Sequence, residues 1–342
     1  MTHIYVTSND LKLGVSQGRL SIRRVEDEQE SSVPFSSVDS INVFGSAQLT
    51  TQLIRECLKN GVPIGYYAED GHYYGRIASS SGVDPERQKL QVLLSDNEAF
   101  CLEWSKIIVG TKIKNSIALL DSMPDICIFS EREKQPLVHS LESLSYAESI
   151  ECLLGLEGNA AKAYFRCLAK LVLIPEFAFE GRSTRPPRDP INSMLSYGYS
   201  LLTRNVIGAI ERHGLHPYFA FMHKIKREHA ALESDLIEEY RAPLIDKLVV
   251  TLVNSGEISH EDFSYNEDGS VYLGVDVMRR LTNLFSEIMG ERVQYFAAYD
   301  DGRFYSFQSM LDRKINGLVD AIYAKNPSLY QPFVWVPSDE AQ

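Results

Sequence analysis

The stretch ASSSGVDP, residues 78–85, divides the sequence into two parts with different patterning. It has no apolar periodicity, and its serines, glycine and proline are typical of a linker. Before it, residues 1–77 consist of short segments rich in β-branched and aromatic side chains, which predict strands. After it, apolar residues recur at the i, i+3, i+4 spacing of buried helix faces. We therefore predict an α+β chain with a small N-terminal β-rich domain, a linker at 78–86, a larger all-α domain at 87–330 and a tail at 331–342.

One helix is predicted among the N-terminal strands. It begins near Thr50 and ends at Asn60-Gly61, a pair typical of a helix C-terminus. The segments VPIGYYA and GHYYGRI flank Glu69-Asp70-Gly71, which predicts a β-hairpin. The other predicted strands are HIYVTS, KLGVS, RLSIRRV and SINVFG.

The C-terminal part carries clear helix boundaries. Asp189-Pro190 combines an N-cap residue with proline at the first helical position, and the helix that follows runs to about His213. A second long helix, Ala231–Asn254, contains Pro243, which must bend or split it. Tyr265–Leu273 is predicted to be a small hairpin. Further helical stretches are predicted at Arg87–Leu120, Tyr146–Leu173, Asp276–Met289 and Phe304–Ala324.

Composition narrows the class of protein. Of the 342 residues, 44% are hydrophobic and 23% charged, which is typical of a globular chain and argues against disorder. The sequence lacks a run of 18 apolar residues, so we expect no membrane span. The start MTHIYVTSND has no secretory features. Five cysteines without CxxC spacing suit a reduced cytoplasmic protein with no zinc site.

The charge balance is acidic but uneven. A net charge of −12, from 46 acidic and 34 basic residues, argues against a general nucleic-acid coat protein. Binding depends on local potential, however, and some segments are locally basic. These segments contain Lys106, Lys112 and Lys114; Arg182, Arg185 and Arg188; and Lys224, Lys226 and Arg227. An acidic chain can therefore still carry a basic groove.

Two segments contain residues that suit a metal site. Asp235 and Glu238 are spaced i, i+3, so they lie on one helix face. His223 precedes them at the end of the apolar run YFAFMH. Carboxylates and one imidazole suit a hard cation such as Mg²⁺ or Mn²⁺. Glu157, in GLEGN within an otherwise apolar helical stretch, is a candidate for a further ligand.

Plainer interpretations of these residues remain open on spacing alone. Acidic pairs at i, i+3 are commonly a solvated helix face. A lone histidine after an apolar run is commonly a core residue with a satisfied imidazole. Glu157 can be explained by an ion pair with Lys162 or Arg166 on its own helix.

The motifs around these residues resemble one known family. GLEGNAAKAYF, DPINSMLSYGYSLL, GLHPYFAFMH and SDLIEEYRAPLIDKLV, in that order, are similar to the C-terminal domain of Cas1, the integrase of CRISPR adaptation. PFSSVDSINVFGSAQLTTQLIRECLKNGVPIGYY is similar to that family's β-rich N-terminal domain, and KIKNS matches another family segment. The resemblance runs from about Ile4 to Tyr330.

The resemblance implies a catalytic set and a reaction. It places Glu157, His223 and Glu238 as ligands of Mg²⁺ or Mn²⁺, with Asp235 as a fourth catalytic residue beside the metal. The implied enzyme is a divalent-metal-dependent DNA endonuclease and integrase. In the implied strand transfer, the 3′-hydroxyl of a short DNA fragment, the spacer, attacks a phosphodiester at the edge of a CRISPR repeat. Such chemistry needs positioning and charge neutralisation, which fits a sequence that lacks a nucleophile motif such as GxSxG.

The DNA contacts and partners are also expectations from this resemblance and from local charge. Double-stranded DNA is expected to contact the basic residues near the site and one amide residue, namely Lys224, Arg182, Arg185, Arg188 and Asn192. The arginines can instead pair with nearby acids such as Glu176 and Glu180. The resemblance implies a homodimer through the β-rich domain and a small partner protein, Cas2. It implies no membrane association.

Two other functions remain open. The same metal site would serve a general nuclease for branched DNA or repair intermediates. A non-catalytic scaffold that holds DNA ends is the other alternative, although all four positions of the implied catalytic set are filled with residues of the required type.

Overall fold

The computed structural model describes residues 2–25, 30–68, 73–79, 84–227, 229–290, 292–294 and 304–337. Two compact units are present, Met1–Gly82 and Val83–Gln342. The strands are β1 (Thr2–Val6), β2 (Leu11–Ser16), β3 (Arg19–Arg24), β4 (Glu30–Pro34), β5 (Val38–Phe44), β6 (Gln48–Leu49), β7 (Ile64–Tyr67), β8 (Tyr73–Ile77), β9 (Phe263–Tyr265), β10 (Val271–Leu273), β11 (Arg292–Gln294) and β12 (Phe304–Ser306). The helices are α1 (Thr51–Lys59), α2 (Pro85–Ser95), α3 (Glu98–Asp121), α4 (Glu131–Ser143), α5 (Ile150–Lys170), α6 (Pro190–Arg212), α7 (Ala231–Ile237), α8 (Lys247–Asn254), α9 (Val275–Gly290) and α10 (Phe307–Ala324).

The N-terminal unit is built from two sheets and one helix within its described residues. One sheet has the order β1-β5-β7-β8, in which β8 alone runs antiparallel to its neighbour. The other has the order β4-β3-β2-β6. Apolar side chains from both sheets and from α1 form a shared core, with Leu13, Ile41, Leu53 and Ile64 all fully buried. The predicted β-rich character is confirmed.

The predicted N-terminal helix and hairpin have clear physical causes. The Thr50 hydroxyl accepts a hydrogen bond from Leu53 N, which starts α1. β7 and β8 pair antiparallel, as the hairpin prediction requires. The predicted turn at Glu69-Asp70-Gly71 lies outside the described residues, as do residues 80–83 of the predicted linker.

The second unit is mainly helical, and its described part also contains the short pairs β9–β10 and β11–β12. The predicted helical stretch Arg87–Leu120 is two helices, because the Asn97 side chain accepts a bond from Phe100 N and begins α3. The predicted hairpin within Tyr265–Leu273 is formed by β9 and β10. No helix among the described residues is long and apolar enough to cross a membrane.

Pro243 splits the long predicted helix. Between α7 and α8, residues Arg241–Asp246 form a π-helical segment. Proline has no backbone N–H and its ring clashes with the carbonyl one turn earlier, so a wider turn relieves the conflict. The wider turn changes the phase of the helix and directs Asp246 to the same cavity as Glu238 and Arg241.

Residues 331–337, predicted as part of a tail, pack into the helical unit. Phe333 and Trp335 are buried. The buried Asn115 amide donates to Phe333 O and to Glu239 O, both at 2.7 Å, and its carbonyl accepts from Trp335 N at 2.8 Å. A side chain of α3 therefore binds this segment to the turn after α7. Residues 338–342 lie outside the described part of the chain.

We expect Gly198→Ala to destabilise the helical unit. On α6, an added Cβ at Gly198 would lie 2.5 Å from Ile245 Cγ2 of the buried π-helical segment, which is too close. Overpacking of this kind costs about 1–3 kcal/mol, so the melting temperature should fall by several degrees. The matched control is Gly208→Ala on the same helix, whose added Cβ meets only the flexible end of Arg212. That variant should melt at the wild-type temperature or slightly above. Equal melting of the two variants would contradict the close packing at Gly198.

Candidate active site

The site is organised around the buried carboxylate of Asp235 on α7. Asp235 Oδ1 accepts hydrogen bonds from His223 N at 2.9 Å and His223 Nδ1 at 2.8 Å. Asp235 Oδ2 accepts from Phe221 N and Met222 N at 3.0 Å and from the Trp104 indole at 3.2 Å. The side chain is 0% exposed. With its oxygens fully engaged, Asp235 folds the 221–223 segment onto α7 and is not available as a direct metal ligand.

His223 is oriented by this contact. A carboxylate oxygen only accepts, so the neutral imidazole carries its proton on Nδ1 and presents the Nε2 lone pair on its other side. Burial lowers the pKa of His223, but the hydrogen bond and charge of Asp235 and the charges of Glu238 and Glu157 outweigh it. The pKa of His223 is therefore raised above 6.5. His223 thus lies within the field of the other two predicted ligands.

Glu157 and Glu238 converge on one cation, the ammonium group of Lys112. Lys112 Nζ on α3 contacts Glu157 Oε1 on α5 and lies 2.8 Å from Glu238 Oε2 at the end of α7. Arg241 Nη1 lies 2.8 Å from the other oxygen, Glu238 Oε1. Burial raises the pKa of Glu238, but the attraction of Arg241 and Lys112 outweighs it and keeps the pKa below 4.5. Both oxygens of Glu238 therefore face positive charge.

Glu157 forms its ion pair with a different residue from the two that the sequence suggested. Its ion-pair partner is Lys112 on another helix rather than Lys162 or Arg166 on its own. Within the described ranges, no group of three or more His, Cys, Asp or Glu side chains has the arrangement of a ready metal cage. The two carboxylates still lie within reach of a single cation, and the imidazole nitrogen is turned away from Asp235. This donor set fits a hard divalent cation.

Two other acidic residues of the α7 region have different partners. The carboxylate of Glu239 accepts from the Tyr330 hydroxyl at 2.6 Å and binds the C-terminal segment. Glu233 accepts from Thr203 Oγ1 at 2.6 Å. Burial raises the pKa of Glu239 to about 7 and that of Glu233 to about 6. Both therefore serve packing in this structure.

A cavity of about 160 Å³ lies beside the two glutamates. In its lining, the buried carboxylate of Asp246 accepts hydrogen bonds from the Tyr199 hydroxyl at 2.6 Å and the Tyr164 hydroxyl at 2.5 Å. The guanidinium groups of Arg182 and Arg241 lie over the Tyr199 ring at 5.3 and 4.8 Å. One carboxylate, two phenols and two arginines thus line this cavity together with the two glutamates.

The residues predicted to bind DNA differ in their surroundings. Arg182 donates to Asn192 Oδ1 at 2.9 Å and to Ser196 Oγ at 3.0 Å. Asn192 is 0% exposed and donates to Gly181 O and Asp189 Oδ2. These two side chains hold the loop before α6 against that helix.

The remaining predicted contacts are more accessible. Lys224, Arg185 and Arg188 are exposed, and Arg188 donates to Asp268 O. Lys224 follows His223 directly, so it lies at the edge of the site. Whether these residues touch DNA stays a prediction.

Sequence reasoning missed Lys112, Arg241 and Trp104 as parts of the site. Lys112 had a signal, because a lysine inside the apolar helical run from Trp104 to Leu120 needs a partner when buried. The sequence also indicated Arg241, because it lies three positions after Glu238 and can pair with it on one helix face. Trp104 gave no signal, since a tryptophan in an apolar run is expected in any core.

We expect Asp246→Asn to change how stability depends on pH. Burial, only partly offset by the two tyrosines, raises the pKa of Asp246 from 3.8 to about 6. A raised folded-state pKa adds stability that is complete below pH 3.8 and is lost as pH rises through 6. Wild type should therefore lose about 2 kcal/mol relative to the variant between pH 4.5 and 7.5. Urea unfolding of both proteins at the two pH values measures this; a constant difference would contradict it.

Comparison with known proteins gives consistent matches. The family profile described as CRISPR associated protein Cas1 matches residues 4–287. A CRISPR-associated endonuclease Cas1 of Mycobacterium tuberculosis is 41% identical over 331 residues, which cover 96% of each chain. Among solved structures, a casposase bound to integration product has a TM-score of 0.81 at 23% identity, covering 100% of this chain and 95% of that one. A Cas6-RT-Cas1–Cas2 complex has a TM-score of 0.79 at 22% identity, covering 98% of this chain and 36% of that one.

The two solved structures show only that the fold is shared. The profile and the curated relative also show the family. The profile covers most of the chain, and the relative aligns over nearly its full length. Because the sequence resemblance, the α+β fold and these matches agree, this chain belongs to the Cas1 family of CRISPR-associated endonucleases.

Proposed function

We propose that this protein is a cytoplasmic, divalent-metal-dependent DNA integrase and endonuclease that transfers short DNA fragments into a CRISPR repeat array. The observation that carries this proposal is the convergence of Glu157 and Glu238 on one cation, together with their electrostatic influence on a histidine that a buried aspartate orients. Membership of the Cas1 family supports it. The free state of all five cysteines suits a reducing compartment.

The proposed metal ligands are Glu157, Glu238 and His223 Nε2, with Mg²⁺ or Mn²⁺ as the ion. When bound, such an ion neutralises charge that develops on the scissile phosphodiester and on its leaving oxygen. Asp235 holds the His223 ring in one tautomer. Arg241 fixes Glu238 by binding the oxygen that Lys112 leaves free. The ordered side chains supply positioning, which is the main requirement of phosphoryl transfer.

In the proposed strand transfer, a DNA 3′-hydroxyl attacks phosphorus and a new phosphodiester forms as the old one breaks. The attacking hydroxyl gives up its proton, and the departing 3′ oxygen takes the electron pair of the broken P–O bond and a proton. No covalent protein intermediate is required, so the chain needs positioned charges and a bound metal rather than a nucleophilic side chain.

The proposed DNA surface begins at Lys224 and continues to Arg185 and Arg188. Their exposed positive charges suit phosphate contacts without base readout. Arg182 and Asn192 contribute by holding the loop that carries the two exposed arginines. We also propose a homodimer through the N-terminal unit and assembly with Cas2, in line with the Cas1–Cas2 composition of one structure that shares the fold.

Loss of one carboxylate ligand should abolish strand transfer. We expect Glu157→Gln to lower the rate with Mn²⁺ by roughly 100-fold or more, because the metal loses a charged oxygen. The measurement is joining of a fragment with a 3′-hydroxyl to a repeat-containing DNA. The control is Glu151→Gln, an exposed position on the same helix, which should retain wild-type activity. Equal activity of the two variants would contradict the assignment of Glu157.

The choice of substrate separates the proposed function from its two alternatives. Preference for branched DNA with no joining at repeat edges would favour a general nuclease. DNA binding with neither cleavage nor joining, at any Mn²⁺ concentration, would favour a scaffold.

Lys224→Ala should weaken binding to DNA regardless of its sequence. If Lys224 binds one phosphate, the slope of log K against log salt should decrease by about one. Titrations of fluorescent DNA between about 50 and 200 mM salt measure that slope. The control is Lys89→Ala, an exposed lysine on α2. An unchanged slope for Lys224→Ala would place this residue outside the DNA surface.

A further inference from the structure

We propose that Lys112 is a built-in cation that holds Glu157 and Glu238 together and is displaced from them when a divalent metal ion binds. This inference rests on the proposed metal site, and it assigns a role to a residue outside the predicted catalytic set. Lys112 would then keep the site assembled before the metal arrives.

The position of Lys112 is the first observation. It lies on α3, whereas its two partners lie on α5 and at the end of α7. Its neighbours on the buried side of α3, Ile108 and Val109, are fully buried, yet the Lys112 side chain remains 20% exposed. The aliphatic stem thus emerges from the core and places the ammonium between two carboxylates from different elements.

The charges give the physical reason for such a cation. Glu238 is 3% exposed and Glu157 16%, so the two carboxylates would repel each other with little screening by solvent. Arg241 contacts Glu238 at Oε1, and Lys112 contacts Glu238 at Oε2 and also reaches Glu157. The four side chains together are neutral. A divalent ion bound to Glu157 Oε1 and Glu238 Oε2 would repel the Lys112 ammonium and compete with it for those oxygens.

The residue type and its surroundings suit an exchange of cations. Lysine is a compact point charge on a flexible stem and is readily hydrated, whereas arginine binds a carboxylate with a fixed fork. The cavity of about 160 Å³ beside the glutamates is lined by Lys112 itself. It offers space for the ammonium once the carboxylates have turned to a metal ion.

The alternative is a permanent structural ion pair that joins α3 to α5 and α7. A structural pair would be needed equally with and without metal. A displaced cation would instead be needed only without metal and would oppose metal binding. These two roles predict opposite effects of removing the ammonium on the affinity for Mn²⁺.

The test is Lys112→Met, which keeps most of the apolar stem, with Lys106→Met on the same helix as control. Lys106 pairs with the exposed Glu103 at the surface of α3. Mn²⁺ binding is measured by calorimetry, and melting temperature is measured in EDTA and in Mn²⁺. For Lys112→Met we expect at least tenfold tighter Mn²⁺ binding. We also expect melting about 5 °C lower in EDTA, with most of that loss recovered in Mn²⁺. Lys106→Met should leave all three values unchanged.

An equal loss of melting temperature with and without Mn²⁺, at unchanged or weaker affinity, would overturn the proposal and leave a structural ion pair. If Lys112→Met does not fold, Lys112→Arg decides. Its fork should hold the carboxylates more firmly and weaken Mn²⁺ binding at least tenfold, whereas unchanged affinity overturns the proposal.

These results also separate the two proposals. If wild type and Lys112→Met bind Mn²⁺ with equal affinity, the role of Lys112 is wrong and the metal site stands. If neither binds Mn²⁺, the metal site itself is wrong, and the role of Lys112 is wrong with it.

Discussion

The rest of the site depends on one buried carboxylate, that of Asp235. Three consecutive backbone N–H groups, an indole and an imidazole all donate to it. An ionised group without solvent contact is stable only when its acceptor sites are filled, so these donors and the carboxylate require one another. These hydrogen bonds fix the 221–223 segment against α7, so His223 has one orientation. A histidine proposed to bind a metal ion needs such a fixed ring orientation.

Opposite charge sets the second part of the site. Glu157, Glu238, Lys112 and Arg241 come from α3, α5 and the region after α7, and their charges balance. The π-helical segment at Pro243 adds a further carboxylate beside these charges, because Asp246 lines the same cavity. Gly198 permits that segment to approach α6 closely. The π-helical segment, the close packing at Gly198 and the ion pairs therefore all lie close to the residues proposed to act on DNA.

Much of this was accessible from the sequence, and the rest was not for physical reasons. The helix end at Asn60-Gly61, the cap at Asp189 and the break at Pro243 are local signals, and each has the predicted effect. The partner of Glu157 is not local. Lys112 lies 45 positions earlier, and spacing on one helix favoured Lys162 or Arg166 instead. The packing of Phe333 and Trp335 was missed because a short segment without periodicity resembles a loop until its buried partners, such as Asn115, are known.

Asp235 orients His223, and we propose that Glu157, Glu238 and His223 Nε2 bind one divalent ion. The most direct measurement is an anomalous difference map from crystals of the protein soaked in Mn²⁺. We expect a single strong peak that contacts one oxygen of each glutamate and Nε2 of His223, with Asp235 still hydrogen-bonded to Nδ1. A peak coordinated by Asp235, or one away from Glu157 and Glu238, would contradict it.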